Sequence, residues 1–286
     1  MKLERTKMII SENHIMKKHS SIRIGGVARS FIEIESKEEL FPLLKKLKNY
    51  FIIGNGTNTL LSDQYLDIDF ISLKKLKNIS IIGENKINVE AGLDFGVLMS
   101  FLAKNDLSGI EELSGIPGTV GGLIYMNGGA HGREIFDCIE SVEILDGLGN
   151  IRFIDKKDLK FGYRYTEIKD KPWIILSANF IFKKGFNKEI VNTLREKRIK
   201  SQPLDMPNLG STFKNPEGNF SAKLISEAGL QGLKIGGAQV SLKHSNFIVN
   251  DGTATFDDVI NTIKKVQETI KEKYNINLER EIIIVK

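Results

Sequence analysis

Apolar runs of four to eight residues alternate with amphipathic stretches through the first two thirds of the chain. The run FIEIE from Phe31 reads as a strand. SKEELFPLLKKLK follows, with Ser36 and Glu39 at capping-box spacing and Leu40, Leu43, Leu44 and Leu47 on one helical face. Pro42 falls early in that helix, where it is tolerated. FIIGNGTN is a short apolar strand that runs into a glycine turn. Further strands are predicted at FISL from Phe70, NISII from Asn78 and KINVE from Lys86. A helix is predicted from Asp94 to Lys104, with Val97, Leu98, Phe101 and Leu102 inward. SVEIL, IRFI and WIILSANFIF then predict an antiparallel meander. From Asn187 the pattern turns helical, at NKEIVNTLREKRI, at FSAKLISEAG with Gly229 as its stop, and at FDDVINTIKKVQETIKEKY. Thr255 caps the last of these, whose Val259, Ile263, Val266 and Ile270 share one face. EIIIV is the closing strand. There is no internal repeat or low-complexity segment, and the change of character places a boundary near residue 185.

One stretch follows neither period. SGIPGTVGGLIYMNGGAHG, Ser114 to Gly132, holds seven of the chain's 26 glycines in nineteen residues and has no Asp, Glu, Lys or Arg. Flexible linkers are rich in Ser and charge, whereas this stretch carries Ile116, Val120, Leu123, Ile124, Tyr125 and Met126, which favour burial. A buried, uncharged, Gly-rich loop offers a row of backbone N–H donors suited to phosphate oxygens. The second glycine motif, IIGNGTNTLLSD, resembles the start of a dinucleotide fingerprint at Gly54 and Gly56. It lacks the third glycine and the acidic residue that such a site needs, and GxxxxGK[ST] is absent from the chain. Two Gly-rich loops in one region suggest a long ligand whose two phosphates are gripped from two sides.

Composition narrows the class. With 286 residues, 41% apolar and 27% charged, the chain reads as an ordinary globular protein with room for two or three subdomains. The net charge is +5 and the pI about 9.0, but Lys and Arg interleave with Glu and Asp, and no basic block carries stacking aromatics. That field suits an anionic small molecule, so no nucleic-acid partner is expected. A nucleic-acid binder, the rival reading, would be colourless and would hold DNA in a salt-sensitive way. MKLERTKMII lacks an apolar core followed by a small-residue cleavage site, and no apolar run approaches eighteen residues; neither export nor a membrane partner is expected, and the cytoplasm is the expected location. The single cysteine, Cys138, excludes an internal disulfide and a Cys-rich metal site, and reads as a small core or strand residue; no metal is expected.

KHSSIRIGG, IIGNGTNTLLSD, SGIPGTVGGLIYMNGGAHG, FGYRYT, GSTFKNP, GGAQVSLKHSNFIVN and LEREIIIV occur in the order seen in the UDP-N-acetylenolpyruvoylglucosamine reductase family, and from about His19 to Val285 the chain resembles it. The resemblance implies an α+β fold. A vanillyl-alcohol-oxidase type FAD-binding domain would occupy 1–185, as two α/β subdomains over about 1–73 and 74–185, and an α+β substrate-binding domain 186–286. It implies FAD and NADPH as cofactors and reduction of the enolpyruvyl ether of a UDP-sugar to UDP-N-acetylmuramate in peptidoglycan precursor synthesis. A monomer or weak oligomer is expected. By match of motif the cofactor side would comprise Arg23, Gly54, Asn55, Gly56, Thr57, Asn58, Ser62, Ser114, Gly115, Pro117, Gly118, Thr119, Gly121, Gly122, Asn127, Gly129 and Ala130.

Hydride addition to C3 of an enol ether conjugated to a carboxylate builds negative charge on that carboxylate and requires an acid at C2. Arg164 supplies a fork matching a carboxylate, Glu281 a hydrogen bond or proton at the developing charge, and Ser211 a hydroxyl beside a glycine turn. The family assigns these three positions, with the serine as proton donor to C2. Tyr163, Lys214, Asn215 and His244 match positions lining the substrate or nicotinamide pocket. The family's diphosphate lysine precedes a QP pair; here Ser201 stands at that place, with Lys200, Arg198 and Lys197 nearby. Too few residues follow 185 for the extra substrate-domain insert, so the chain resembles the shorter class. A sugar-oxidising flavoenzyme of the same fold is the nearer alternative; it would show oxygen-linked turnover and, in many cases, flavin bonded to a residue such as His131.

Overall fold

The computed structural model describes residues 8–286; the opening residues 1–7, part of the stretch inspected for a leader, lie outside it. The described chain forms two compact units that interleave along the sequence. One comprises residues 8–12, Arg29–Gly54 and Asp67–Arg195, the other Asn13–Ala28, Asn55–Leu66 and Glu196–Lys286.

In the first unit the capping-box pair stands as expected, with the Glu39 carboxylate accepting from the amides of Glu35 and Ser36 at 3.0 and 3.3 Å. It opens a 3-10 turn and a short helix, α1 (Leu40–Leu44), that buries Leu40 and Leu43. Strand Tyr50–Ile53 then pairs in parallel with Asp69–Ser72.

The larger sheet of this unit has five strands in the order Ile151–Asp155, Ile139–Leu145, Ile174–Ile181, Lys86–Glu90, Ile79–Gly83, all antiparallel. It is not the expected meander: Ile174–Ile181 pairs with Ile139–Leu145 and Lys86–Glu90, not with Ile151–Asp155. Its eight residues are nearly all buried, which suits a central strand, whereas IRFI is mostly exposed and takes the edge. On one face Ile87, Val89, Val142, Ile144, Ala178 and Phe180 join the core. On the other, Asn88 donates to Ser177 Oγ and Asn179 Oδ1, and Asn179 donates to Ser141 Oγ, a polar ladder across three strands.

Two helices pack on the apolar face. The first, α2 (Phe95–Lys104), is capped by Asp94, whose carboxylate accepts from the Gly96 amide at 2.8 Å. Its inward residues are Phe95, Leu98, Met99 and Leu102; Val97, expected inward, is 51% exposed because the buried face is centred one residue further round. The second, α3 (Val120–Met126), lies inside the Gly-rich stretch, where no helix was expected. Thr119 caps it by accepting from the Gly122 amide, and Val120, Leu123 and Ile124 are buried at helical spacing. That burial outweighs roughly 1 kcal/mol of helix propensity lost at each of Gly121 and Gly122.

Cys138 is buried, and desolvation pushes its thiol up to about 11, which leaves it an inert core residue. Glu111 is also buried. Burial alone would raise its carboxyl, but donation from the amides of Asn187 and Gly109, at 2.9 and 2.7 Å, outweighs that and holds it below the ordinary value of 4.5. The ionised carboxylate therefore stabilises the fold above that value, and the contribution disappears as pH falls through the lower folded value. Glu111→Gln is expected to lose about 1–3 kcal/mol at neutral pH and to converge with the parent in acid. Thermal melts across that range check it; an equal loss at both ends would contradict the ionic role.

From Lys188 the chain forms α4 (Lys188–Ser201), which buries no residue. In the second unit, strands Asn208–Ser211, Phe247–Asn250, Ala238–Val240 and Lys234–Ile235 form an antiparallel sheet in that order. Two helices accompany it, α5 (Ser221–Glu227) and α6 (Phe256–Tyr274). The α6 stripe of Val259, Ile263, Val266 and Ile270 is buried as expected, and Thr255 and Asp258 cap each other's amides at 3.1 and 2.9 Å. Ile22, Ile24 and Leu60 lie in the same apolar core, which ties the two early segments to this unit. Closing strand Ile283–Val285 pairs in parallel with Thr59–Leu61. Among the described residues no helix is long and apolar enough to cross a membrane.

Candidate active site

In the first unit the Gly-rich stretch begins with a 3-10 turn, Glu111–Leu113, from which the amides of Ser114 and Ile116 donate to Glu111 O and Leu113 O. Gly115 and Gly118 follow with φ of +82° and +145°, a backbone that side chains rarely adopt. Not every amide of the stretch is offered outward. Those of Val120 and Gly121 donate to Leu93 O and Ala91 O, at 2.9 and 2.8 Å. Gly121 is thereby explained by packing, since a Cβ there would lie 2.8 Å from Ala91 Cβ. Gly122 is not: a Cβ there would meet only Thr119 Oγ1, at 3.4 Å.

The two glycine motifs meet in this unit. A Cβ on Gly54 would lie 2.6 Å from Thr119 Oγ1, so only glycine admits so close an approach. At the other end of α3, Asn127 takes a left-handed conformation and is fully buried. Its Nδ2 donates to Glu134 Oε2 at 2.6 Å and to Gly162 O at 2.8 Å. These two bonds fix the orientation of the amide, and among the described residues Asn127 Oδ1 has no hydrogen-bond partner. A buried acceptor without a donor is costly and points to a missing one.

FGYRYT is a small hairpin, with Phe161 opposite Thr166 and Gly162 opposite Tyr165, so Tyr163 and Arg164 form its turn. Arg164 has φ of +56°, a strained conformation for a residue with a side chain. The hairpin is tied to the end of the Gly-rich stretch. The Arg164 guanidinium donates to Gly129 O at 2.6 Å and Thr166 Oγ1 donates to Tyr125 O at 3.0 Å. Lys169 donates to Arg164 O at 2.9 Å, and the guanidinium lies 5.0 Å from the Tyr163 ring. Gly129 and Ala130 form a second hairpin with Arg133 and Glu134, with His131 exposed at its tip. The structure thus brings Asn127, Gly129 and Arg164 together, although they come from two separate motifs.

In the second unit Gly56 turns with φ of +63°, and a Cβ there would lie 1.9 Å from His19 O. Asn55, Thr57 and Asn58 flank that turn. Arg23, also at positive φ, is exposed between buried Ile22 and Ile24. Ser62 is buried, and its hydroxyl accepts from the Gln64 amide at 3.1 Å, a turn contact.

Ser211 ends its strand opposite Phe247, directly after Gly210 at φ of +76°. The segment beyond it is held on two sides. The Thr212 and Phe213 amides donate to Asn246 O and Asn246 Oδ1, at 2.7 and 3.0 Å. On the other side, the amides of Glu281 and Lys214 donate to Thr212 O and Glu279 O, at 2.9 and 2.8 Å. Asn58 Nδ2 donates to Glu281 O at 3.2 Å. Ser211 and Glu281, far apart in sequence, are therefore neighbours through main chain; Arg164 belongs to the other unit.

Lys214 pairs with Glu279 at 2.5 Å, and exposed Asn215 accepts from the Ser221 amide. His244 stacks edge-on against Phe247, and burial pushes its imidazole below the ordinary value, which favours the neutral ring. Of the basic residues before Gln202, Lys197 and Lys200 are exposed. Arg198 is half-buried and donates to Gln202 Oε1 at 2.9 Å, and burial pushes its guanidinium pKa down. The sequence did not point to Asn246, Gly162 or Glu134; these hold the candidate residues through main chain or amide contacts that carry no sequence pattern.

A family model described as an FAD binding domain matches residues 29–155, and one described as the C-terminal domain of UDP-N-acetylenolpyruvoylglucosamine reductase matches 202–285. The chain is 50% identical over 281 residues to UDP-N-acetylenolpyruvoylglucosamine reductase of Fusobacterium nucleatum, covering 98% of this chain and 100% of that one. It is 42% identical over 295 residues to the enzyme of that name from Caldanaerobacter subterraneus, covering 99% and 97%. The crystal structure of UDP-N-acetylenolpyruvylglucosamine reductase from Thermus caldophilus superposes with a TM-score of 0.85 at 31% identity, over 98% of this chain and all of that one.

Proposed function

Because the chain belongs to the UDP-N-acetylenolpyruvoylglucosamine reductase family, an FAD-dependent oxidoreductase family of peptidoglycan precursor synthesis, we propose that it reduces UDP-N-acetylglucosamine enolpyruvate to UDP-N-acetylmuramate with NADPH. The observation that carries this reading is 50% identity across essentially the whole length of both chains.

The residues of the first unit fit FAD. A side chain at Gly122 would meet only Thr119 Oγ1, at 3.4 Å, and buried Asn127 Oδ1 lacks a donor, such as a flavin or ribose could supply. The stretch Ser114–Gly132 is free of carboxylates that would repel a pyrophosphate. On this reading residues up to about 185 serve the cofactor and those from 186 the substrate. Bound FAD would supply the hydride for C3 of the enol ether.

The chain's own groups then have separate tasks. Arg164 binds the enolpyruvyl carboxylate through its planar fork and holds the charge that develops there. Its strained backbone, tied to Gly129 O, fixes where that fork points. Glu281 hydrogen-bonds the same developing charge, and Ser211 gives its proton to C2. Tyr163, Lys214, Asn215 and His244 line the substrate or nicotinamide pocket, and Arg23, Asn55, Thr57 and Asn58 the cofactor side.

Arg164→Lys keeps the charge but loses the fork. It is expected to slow the step that consumes the enolpyruvyl substrate about 10²-fold, while oxidation of NADPH by the loaded enzyme stays near the parent rate. Rapid-mixing absorbance at the flavin band separates the two. Slowing confined to NADPH oxidation would remove Arg164 from the carboxylate.

A further inference from the structure

The strand Asn208–Ser211 ends opposite Phe247, and one more main-chain bond follows it, from the Thr212 amide to Asn246 O. At Phe213, two residues beyond Ser211, the ladder is continued by a side chain. Asn246 is 4% exposed, and its Oδ1 accepts from the Phe213 amide at 3.0 Å while its Nδ2 donates to Phe213 O at 2.8 Å. Its own carbonyl accepts from the Thr212 amide at 2.7 Å. The side chain thus does for Phe213 what a neighbouring strand would do, and each of its polar atoms is used. Across the segment, Thr212 O accepts from the Glu281 amide, and Phe213 forms a bridge with Arg280.

We propose that Asn246 is a positioning residue for the reduction: its side-chain amide clamps Phe213 at both main-chain atoms, and through the segment Thr212–Phe213 it fixes Ser211 and Glu281 relative to each other. This rests on the reading of Ser211 as proton donor given above. A proton donor must sit within hydrogen-bond reach of C2, so a slip of the segment by even a fraction of an ångström weakens transfer without altering the hydroxyl itself.

An acid in place of the amide gives a test that a merely structural role would not pass. A protonated carboxyl reproduces the Asn246 pattern, with C=O toward the Phe213 amide and O–H toward Phe213 O. Ionised, it faces that carbonyl with charge and has no donor. The titratable and charged groups around it are His244, Lys243, Lys214 paired with Glu279, Arg280 and Glu281. His244, with its imidazole pushed down by burial, is expected to stay neutral over most of the range used. Burial favours the neutral form of the new carboxyl, so protonation as pH falls restores the pattern of the amide.

Asn246→Asp and Asn246→Ala are therefore compared with the parent holoenzyme at about pH 5.5 and about pH 8.5. The readouts are the rate of the substrate-consuming step and hydrogen exchange of the peptide spanning 208–216. Asn246→Ala is expected to slow the step about 10²-fold at both pH values, with faster exchange. Asn246→Asp is expected to match it at high pH and to recover toward the parent at low pH, in rate and exchange together. If Asn246→Ala fails to fold, the pH response of Asn246→Asp carries the test alone. Exchange in Asn246→Asp that keeps the same ratio to the parent, measured at the same pH, at both pH values would overturn the clamp. Exchange that responds while the substrate step does not would show a real clamp but remove Ser211 from the chemistry, and the positioning role with it.

Discussion

Gly122→Asp is expected to give a folded protein that purifies colourless. The structure has room for the change: the added Cβ would meet only Thr119 Oγ1, at ordinary contact distance, and an acidic residue in the first turn of a helix is locally favourable. What the change adds is a carboxylate on a stretch that otherwise has none between Ser114 and Gly132. Two like charges about 5 Å apart at an effective dielectric of about 20 repel by about 3 kcal/mol, roughly 10²-fold in affinity. A flavin dinucleotide whose pyrophosphate runs along this stretch would be lost on purification. Gly121→Ala is the contrasting change: uncharged, but placed 2.8 Å from Ala91 Cβ, it should disturb packing first. The ratio of flavin to protein absorbance, read beside circular dichroism, distinguishes the two. A Gly122→Asp protein that keeps stoichiometric flavin would move the pyrophosphate away from this stretch.

The parts of the fold legible in the sequence are those whose own spacing records what they bury. The α6 stripe repeats over about three turns of a helix that runs between a capping pair and a left-handed Asn275, and it lies where the period puts it. The helix α3 was hidden for the opposite reason, because its glycines argue for a loop, while the amides of its first turn are held by Ala91 O and Leu93 O, in the turn before α2. Strand order was hidden likewise. SVEIL, IRFI and WIILSANFIF were each visible, but nothing within a strand states its neighbour, and the most buried one goes to the centre. Nor does composition reveal that Ile22, Ile24 and Leu60 share a core with Val259 and Ile263.

The candidate site divides in the same way. Gly54, Asn127, Arg164 and Ser211 stood out through motif and residue type. The hairpin that carries Arg164 is two residues wide on each side, too short to have a period, and its ties to Gly129 and Tyr125 run through main-chain oxygens that any sequence supplies. The orphaned Asn127 Oδ1 is a property of packing alone, since it depends on Glu134 and Gly162 having claimed the other end of the amide. Asn246 was invisible for the same reason: an asparagine before a buried strand looks like a turn residue until its partners are known.

Ser211→Ala is expected to separate the two halves of the reaction further than any other single change. The side chain contributes nothing to the strand pairing, which runs through main chain to Phe247, and Ser211 is only half-buried, so the fold and bound flavin should be retained. Oxidation of NADPH requires no proton at a substrate carbon, and bleaching of the flavin band by NADPH should be nearly unchanged. Return of the band on adding UDP-N-acetylglucosamine enolpyruvate requires a proton at C2, and losing a placed general acid costs roughly 10²- to 10⁴-fold. Ser211→Cys should restore part of that loss, since a thiol also donates a proton, and the restored part should shrink as pH rises through the thiol's range. Both halves are read at one wavelength by stopped flow. Equal slowing of the two would mean that the segment between Asn246 and Glu281 had moved. An unchanged second half would mean that the proton reaches C2 from another donor, and Glu281, whose amide is bonded to Thr212 O, would be the next residue to vary.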